Sequence, residues 1–375
     1  MMVDNPFCFR QDPIAKRLRL FRDARQILAM AEDGQRHQPF YSSTEGQLGK
    51  LYLCLTFSCP LHCPFCQADA GVRRSKELGP DRILKITQDA VSAGFREIVV
   101  TGGEPLVYSG IDKLMRSWGE MDKGRTKFIL RTSFGFSVSH NRIRMIARAF
   151  DEITVSIDGD EQRHDSIRGK GVYRLALSNI NACLREQSAV INLASVMEKE
   201  DFEGEAGRAV EALRQSLGIK KWVVRSPLPL GRGDCKQNCS KPPFEWRTSD
   251  AIMPTHLEPK FSCGFGKNVY MEPNGVCYPC YVWCRPESKL GDLAGEDLSD
   301  IIAGKEMLAC MNCGVDTNAK CRECSVRYFC GGGCKLFYQD KKDVNCGDFD
   351  CSEAKARIIE NLSHLDEMER NLTEN

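Results

Sequence analysis

The sequence predicts an α/β fold, a partial (β/α)6 barrel followed by a small cysteine-rich domain. Three observations carry the prediction. Short apolar runs alternate with longer amphipathic stretches across residues 51–220. Gly-rich or Asp-Gly punctuation follows several of the runs, and the cysteines crowd behind this region. Repeated strand, loop and helix implies a parallel sheet joined by crossover helices.

Taken in order, residues 1–45 are mixed helical and polar, an N-terminal extension with an amphipathic helix over 14–31. The barrel is expected over 46–226. Its strands are read at 51–56, 97–101, 127–131, 152–157, 189–195 and 221–225. Its helices are read at 80–93, 111–121, 139–149, 172–186 and 204–217. Six units are fewer than a closed eight-stranded barrel needs, yet functional-looking residues follow strands, where ligands gather in parallel β/α folds. No Gly-x-Gly-x-x-Gly and no phosphate-loop lysine follows a strand, which argues against nucleotide-binding folds. After Pro227 the texture turns to Pro, Gly and Cys. Residues 227–262 read as a bridge, 263–352 as a domain held by metal rather than by a large apolar core, and 353–375 as a closing helix.

The 375 residues suffice for one large and one smaller domain. Lys+Arg 52 against Asp+Glu 51 leaves a net charge of +1, so no global field draws nucleic acid or anionic lipid. Apolar runs such as 97–100 and 222–224 are strand-sized, too short to span a bilayer. Asp4, Arg10 and Asp12 interrupt any signal-peptide core. The expectation is a cytoplasmic protein, with no membrane and no nucleic-acid partner. Twenty cysteines in such a chain favour metal or cluster ligation over the disulfides of short secreted proteins.

Directly after the first strand comes Cys59-Pro60-Leu61-His62-Cys63-Pro64-Phe65-Cys66. Three thiolates at offsets 0, 4 and 7 can surround one face of a four-iron cube and leave the fourth iron open. A structural zinc site wants a fourth ligand, and His62, inside the loop, is awkwardly placed to supply it. This spacing resembles the radical S-adenosylmethionine (radical SAM) superfamily, marked by Cys-x3-Cys-x2-Cys after the first barrel strand, with an aromatic where Phe65 stands. The resemblance implies that the open iron binds the amino and carboxylate groups of S-adenosylmethionine. One electron, from a donor such as flavodoxin or ferredoxin, then yields methionine and a 5′-deoxyadenosyl radical that abstracts a substrate hydrogen.

Further positions follow from the resemblance. Gly102-Gly103-Glu104-Pro105 looks like the loop for the methionine amino group: glycines expose backbone carbonyls to a cation, and Glu104 orients the turn or adds charge. Ser156 resembles a cofactor-contacting serine. Arg168 is placed to pair with the methionine carboxylate, the alternative being a surface cation. Arg131-Thr132-Ser133-Phe134-Gly135 departs from the Thr-Asn-Gly of many relatives, so Thr132 and Ser133 receive no specific role.

Downstream, Cys263, Cys280, Cys321, Cys324, Cys330, Cys334 and Cys351 resemble the SPASM extension, which holds auxiliary clusters. Carried over, Cys321, Cys324, Cys330 and Cys351 hold a distal [4Fe-4S] cluster. Cys263, Cys280 and Cys334 supply three ligands to a proximal one, so that the chain carries three clusters. The fourth proximal ligand is open among Cys235, Cys239, Cys277 and Cys284, or an iron left for substrate. Cys310, Cys313 and Cys346 are surplus, read as packing residues, ligands or hydrogen donors. Zinc ribbons are the alternative for the whole region.

The resemblance implies an oxidoreductase that cleaves S-adenosylmethionine and abstracts a substrate hydrogen, without fixing the outcome; the leading expectation is oxidative modification or crosslinking of a peptide or protein. The alternatives are oxidation or rearrangement of a small molecule (a sugar or aminocyclitol alcohol, a cofactor or antibiotic precursor), peptide epimerisation, and a non-enzymatic zinc-binding adaptor. Sulfatase-maturing relatives carry an acidic residue after the cysteine matching Cys280. Here Tyr281 stands there, and a phenol of ordinary pKa about 10 is a poor base. Tyr281, Cys310 and Cys313 are the weak catalytic candidates. The 58 residues before Cys59 are fewer than the leader-recognition domain of many peptide modifiers, which counts against a leader-dependent substrate unless a partner protein supplies the recognition.

Overall fold

In the computed structural model, residues 48–71, 76–233, 245–248, 262–324, 326–334, 351–352 and 355–356 are described. The chain divides into two compact units. One comprises Gln47–Ile252 and Gly264–Met311, the other Met1–Gly46, Met253–Cys263 and Asn312–Asn375.

The first unit is built on a ten-stranded sheet. Its centre is six parallel strands in sequence order: β1 (Lys50–Cys54), β2 (Glu97–Thr101), β3 (Lys127–Thr132), β4 (Glu152–Ser156), β5 (Val190–Val196) and β6 (Trp222–Arg225). Between them run α1 (Pro80–Ser92), α2 (Ile111–Glu120), α3 (His140–Ala149), α4 (Glu161–Arg168), α5 (Val172–Glu186), α6 (Lys199–Glu203) and α7 (Glu205–Ser216). This is the partial (β/α)6 barrel that the alternating pattern predicts. Beyond β6 the short strand β7 (Glu245–Thr248) pairs antiparallel.

The helices form where apolar residues recur at helical spacing. In α1 these are Ile83, Ile86, Thr87 and Ala90, behind a proline in the first turn. In α2 they are Ile111, Leu114, Met115 and Trp118. Each packs on the outward residues of the strands, among them Leu51, Leu53, Ile98, Val100, Phe128 and Leu130, to give one continuous core. Trp118 is fully buried against Phe128 and Phe150, and its indole N–H donates to Thr87 Oγ1 at 3.2 Å. Two helices depart from the sequence reading. Segments α4 (EQRHDSIR) and α6 (KEDFE) carry almost no apolar face, so periodicity does not reveal them. What defines α4 is its cap, Asp160, whose side chain accepts from Arg163 N at 2.8 Å.

The domain boundary at residue 263 is drawn differently by the structure. Residues 264–311 belong to the sheet unit. Strand β8 (Val269–Met271) pairs parallel with β1, and β9 (Val276–Tyr278) and β10 (Gly291–Asp292) extend it antiparallel. Val269, Met271, Cys277, Leu293, Ile301 and Met307 join the main core. Two short helices, α8 (Leu298–Ala303) and α9 (Lys305–Met311), follow, and Arg82 of α1 donates from Nε to Leu293 O at 2.7 Å. Strands of two or three residues among Gly, Pro and Cys give too little period to read, which is why this segment looks like a separate module in the sequence.

The second unit contributes α10 (Ala319–Arg322) and α11 (Arg327–Cys330) among its described residues. The expected helix over 14–31 and all of the closing helix over 353–375 but residues 355–356, together with Cys235, Cys239 and Cys346, lie outside the described residues. No helix among the described residues is long and apolar enough to cross a membrane.

Because β8 covers the edge of β1, a chain truncated after Ser262 is expected to lose cooperative thermal unfolding and to expose apolar surface to a hydrophobic dye. Retention of a sharp unfolding transition would show that 264–311 is dispensable to the sheet.

Candidate functional site

The loop from Thr56 to Gly71 rises from the C-terminal end of β1. It is closed at its neck, where Cys59 N donates to Gly71 O and Gly71 N to Phe57 O, both at 3.0 Å. Inside it, Cys66 N donates to Cys63 O at 3.3 Å and Ala70 N points to Cys66 Sγ at 3.4 Å. Cys59, Cys63 and Cys66 pack in one cluster with Leu61, Phe65 and Val172. Burial pushes the Cys59 thiol up to about 11, and Cys63 is also raised by burial while Arg168 pulls it back down. Thiols so placed ionise only when a cation compensates them.

Two arginines supply positive charge and fix the loop. Arg232, in a short turn over Gly231–Gly233, donates from Nε to Cys63 O at 2.9 Å and from Nη1 to Ala70 O and Asp69 Oδ1. Its own N–H donates to Cys66 O at 3.0 Å. Gly231 has φ +59, and a Cβ there would lie 2.4 Å from Cys66 O, so only glycine lets this turn close on the loop. Arg168, at the end of α4, is buried. Its Nε donates to Asp158 Oδ2 at 2.5 Å, Nη1 stands 3.9 Å from Cys63 Sγ, and the guanidinium lies 5.5 Å from the centroid of Phe65. A surface cation it is not.

The Gly102-Gly103-Glu104 segment lies edge to edge with the start of the cysteine loop. Gly103 N donates to Thr56 O at 2.7 Å and Glu104 N to Ser58 O at 2.9 Å. A Cβ on Gly102 would meet Thr56 O at 2.4 Å, and one on Gly103 would meet Ser58 O at 2.4 Å. The glycines are there for this approach. Glu104 is buried and receives four hydrogen bonds, from Leu106 N, Thr132 Oγ1, Ser133 N and Ser133 Oγ. Burial pushes its carboxyl up and these donors pull it down. Glu104 is thereby fixed to the turn and to β3. Thr132 and Ser133, left without a role by the sequence, are its anchors. They also shape the following turn, where Phe134 sits at φ +49, a conformation uncommon for an aromatic residue. Thr132 Oγ1 accepts from Phe134 N, and Asn179 Nδ2 donates to Phe134 O.

Ser156 stands half-buried at the end of β4, in register with Ala194. Asp158 is fully buried, its Oδ1 accepting from Val196 N at 2.8 Å. His164 completes this corner, accepting at Nδ1 from Asp158 N at 3.1 Å, while Nε2 has no hydrogen-bond partner among the described residues. Burial drives its imidazole down to about 4. No signal in the sequence singled out His164 or Arg232.

Farther down the chain, Tyr281 packs 5.5 Å from Tyr52, and burial pushes its phenol up to about 12, so it is a still poorer base than the sequence implied. Cys277 is a fully buried core residue, its thiol raised far by burial, in keeping with packing. Cys284 Sγ donates to Cys280 O and Tyr281 O, each at 3.5 Å. Cys310 lies half-buried in α9 of the sheet unit, and Cys313 is buried in the other unit. In that second unit Cys321 N is capped by Asn318 Oδ1 at 3.1 Å and Cys324 N donates to Cys321 O at 2.9 Å. Between Cys330 and Cys334, Gly331, Gly332 and Gly333 all take positive φ (65, 81 and 71), a left-handed run that residues with side chains avoid. Cys263 and Cys351 are exposed and half-buried respectively.

The residues fit an iron–sulfur cube at the first loop: three thiols of one short loop share an apolar patch, and two guanidinium groups offset the charge of their ionised forms. Among the described residues no three His, Cys, Asp or Glu side chains are spaced for a single metal ion.

A parallel β/α partial barrel bearing a three-cysteine loop after its first strand defines the class. The family model of the Radical SAM superfamily matches residues 53–205, and this segment is a radical SAM domain. The sporulation killing factor maturation protein SkfB of Bacillus subtilis (strain 168) is 26% identical over 183 residues, 48% of this chain and 42% of SkfB. The GTP 3′,8-cyclase of Clostridium perfringens (strain 13 / Type A) is 26% identical over 160 residues, 42% of this chain and 48% of the cyclase. The chain thus spans less than half the length of either curated relative. Native anSMEcpe with bound AdoMet and Kp18Cys peptide matches with a TM-score of 0.67 at 15% identity, over 87% of this chain and 99% of that one. Streptococcus suis SuiB bound to S-adenosylmethionine matches at 0.62 and 16%, over 92% and 84%. At these identities the likeness is one of fold.

Replacing Thr132 by Val and Ser133 by Ala removes the side-chain donors of a buried carboxylate. Each loss is expected to destabilise the protein by about 1–3 kcal/mol in chemical denaturation. A pair of variants as stable as the parent would contradict the anchoring role.

His164 gives a pH dependence. Its folded pKa lies below the unfolded value of about 6.5, so its contribution to stability is complete above that value and declines as pH falls toward about 4. The expected loss over that window is on the order of 1–3 kcal/mol. In His164→Asn the slope of stability against pH between these values should flatten, and an unchanged slope would rule the group out.

Proposed function

We propose that this chain reductively cleaves S-adenosylmethionine and uses the resulting 5′-deoxyadenosyl radical for oxidative modification or crosslinking of a peptide or protein. The observation that carries the reading is the cysteine loop clamped by Arg232 and Arg168 and fused edgewise to Gly102-Gly103-Glu104. Cys59, Cys63 and Cys66 would hold a cluster whose open iron would bind S-adenosylmethionine and supply the electron for its cleavage, drawn from a donor such as ferredoxin or flavodoxin. The protein's part is to hold three thiolates on one face, to present the glycine backbone beside them and to keep water from the reacting atoms. Glu104, fixed by Thr132 and Ser133, keeps that backbone edge rigid. Arg168, held by Asp158, has Nη atoms available for the methionine carboxylate, and Ser156 lies on the same rim. The radical takes one hydrogen atom to become 5′-deoxyadenosine, and a net oxidation then requires the substrate radical to lose one more electron. Cys321, Cys324, Cys330 and Cys351 are proposed as the residues that would hold an auxiliary cluster, which would supply an acceptor for that electron. The set Cys263, Cys280 and Cys334 stays a reading of the sequence.

A peptide substrate is supported by what the similar proteins do: SkfB is a maturation protein, and SuiB has been seen bound to its precursor peptide SuiA. The similarity to GTP 3′,8-cyclases favours a second reading, rearrangement of a small molecule.

Anaerobic reconstitution is expected to load about twelve irons per chain if both auxiliary sites fill, and about four would overturn the auxiliary assignment. The reduced protein should form 5′-deoxyadenosine from S-adenosylmethionine, and Cys59→Ala should abolish it. A wild-type protein that loads iron and forms none would sink the reading.

A further inference from the structure

The two faces of the central sheet differ in character. The outer face is apolar under its helices. On the inner face Tyr52, Cys54, Val99, Ile129 and Tyr270 make a buried cluster over β1, β2, β3 and β8. Beyond that cluster the same face turns polar. Arg131 of β3 lies in register with Thr154 of β4, and Thr154 with Asn192 of β5, one row inside the rim that carries Ser156.

Several other arginines withdrawn from water in this unit are held by carboxylates. Arg142 pairs with Asp112, Arg163 with Asp201, Arg168 with Asp158, Arg214 with Glu211 and Arg232 with Asp69. Among the described residues no carboxylate pairs with Arg131. Its guanidinium lies instead 5.4 Å from the ring centroid of Tyr52, which stands 5.5 Å from Tyr281. The corner therefore combines a half-buried cation, with no counter-charge among the described residues, and a flat aromatic support. A guanidinium partly withdrawn from water gains most from an acceptor of its own planar, two-oxygen geometry. Stacking on Tyr52 restricts the fork's orientation in advance.

We propose that Arg131 is the anchor for a carboxylate of the substrate, so that the peptide enters with an acidic side chain or its own C-terminal carboxylate against the inner face of the sheet. This rests on the peptide reading above and narrows it to one chemistry. Arg168, beside Cys63, serves the cofactor, and Arg131, stacked on Tyr52, serves the substrate.

The test uses the full chain, anaerobically reconstituted and saturated with S-adenosylmethionine, and reads binding by calorimetry, so no turnover is needed. Three probes are compared: acetyl-Ala-Asp-Ala-amide, acetyl-Ala-Asn-Ala-amide and acetyl-Ala-Asn-Ala as the free acid. At least one carboxylate-bearing probe should bind about tenfold or more tightly than the neutral amide. Preference for the Asp probe assigns a side-chain carboxylate, and preference for the free acid a C-terminal one. Arg131→Gln should erase the preference, and Arg131→Lys, which keeps the charge without the fork, should keep part of it. Equal binding of all three, binding of none, or a preference that survives Arg131→Gln overturns the proposal. So does an Arg131→Gln protein whose defect is confined to S-adenosylmethionine binding, which would make Arg131 a cofactor ligand. Failure to form 5′-deoxyadenosine strikes the function above and leaves these binding results readable on their own.

Discussion

The site hangs on a backbone contact, the edge-to-edge pairing of Thr56–Ser58 with Gly102-Gly103-Glu104. Two hydrogen bonds, Gly103 N to Thr56 O and Glu104 N to Ser58 O, tie the cysteine loop to the end of the neighbouring strand. The approach is so close that a methyl group on either glycine would run into a carbonyl. From this contact the rest of the site follows. Glu104 is turned inward, where Thr132 and Ser133 of β3 hold it, and Arg232 closes the far side of the loop through Cys63 O and Ala70 O. Backbone hydrogen bonds on both sides fix the loop in which the three cysteines pack together, and a reactive centre depends on preorganisation of this kind.

Positive charge is distributed with equal economy. Arg168 and Arg232 both reach Cys63, one at its sulfur and one at its carbonyl. Asp158 holds Arg168 and is itself held by Val196 N, so β4, α4 and β5 jointly aim a single guanidinium. His164 is buried in the same corner, and burial drives its imidazole down to about 4.

Much of this was legible in the sequence, for local reasons. Six strands and the helices around Ile83, Trp118 and Ile180 announce themselves because one face of each is continuously apolar. The cysteine loop announces itself by spacing alone. What stayed hidden depends on partners distant in the chain or on elements too short to show a period. The role of Thr132 and Ser133 needs Glu104, 28 and 29 residues away. Arg232 meets Cys63 across 169 residues. Helix α4 has no apolar stripe, and β8, β9 and β10 are two or three residues long, so the segment after Cys263 looked like a separate module although it completes the sheet.

The central claim is that the loop of Cys59, Cys63 and Cys66 leaves one iron open for S-adenosylmethionine. Electron–nuclear double resonance on the reduced, reconstituted protein tests it most directly, using S-adenosylmethionine isotopically labelled at the amino nitrogen. A magnetic coupling between label and cluster is the predicted result, present in the wild type and absent in Cys63→Ala. A wild-type protein that binds the labelled compound and shows no coupling would contradict the account.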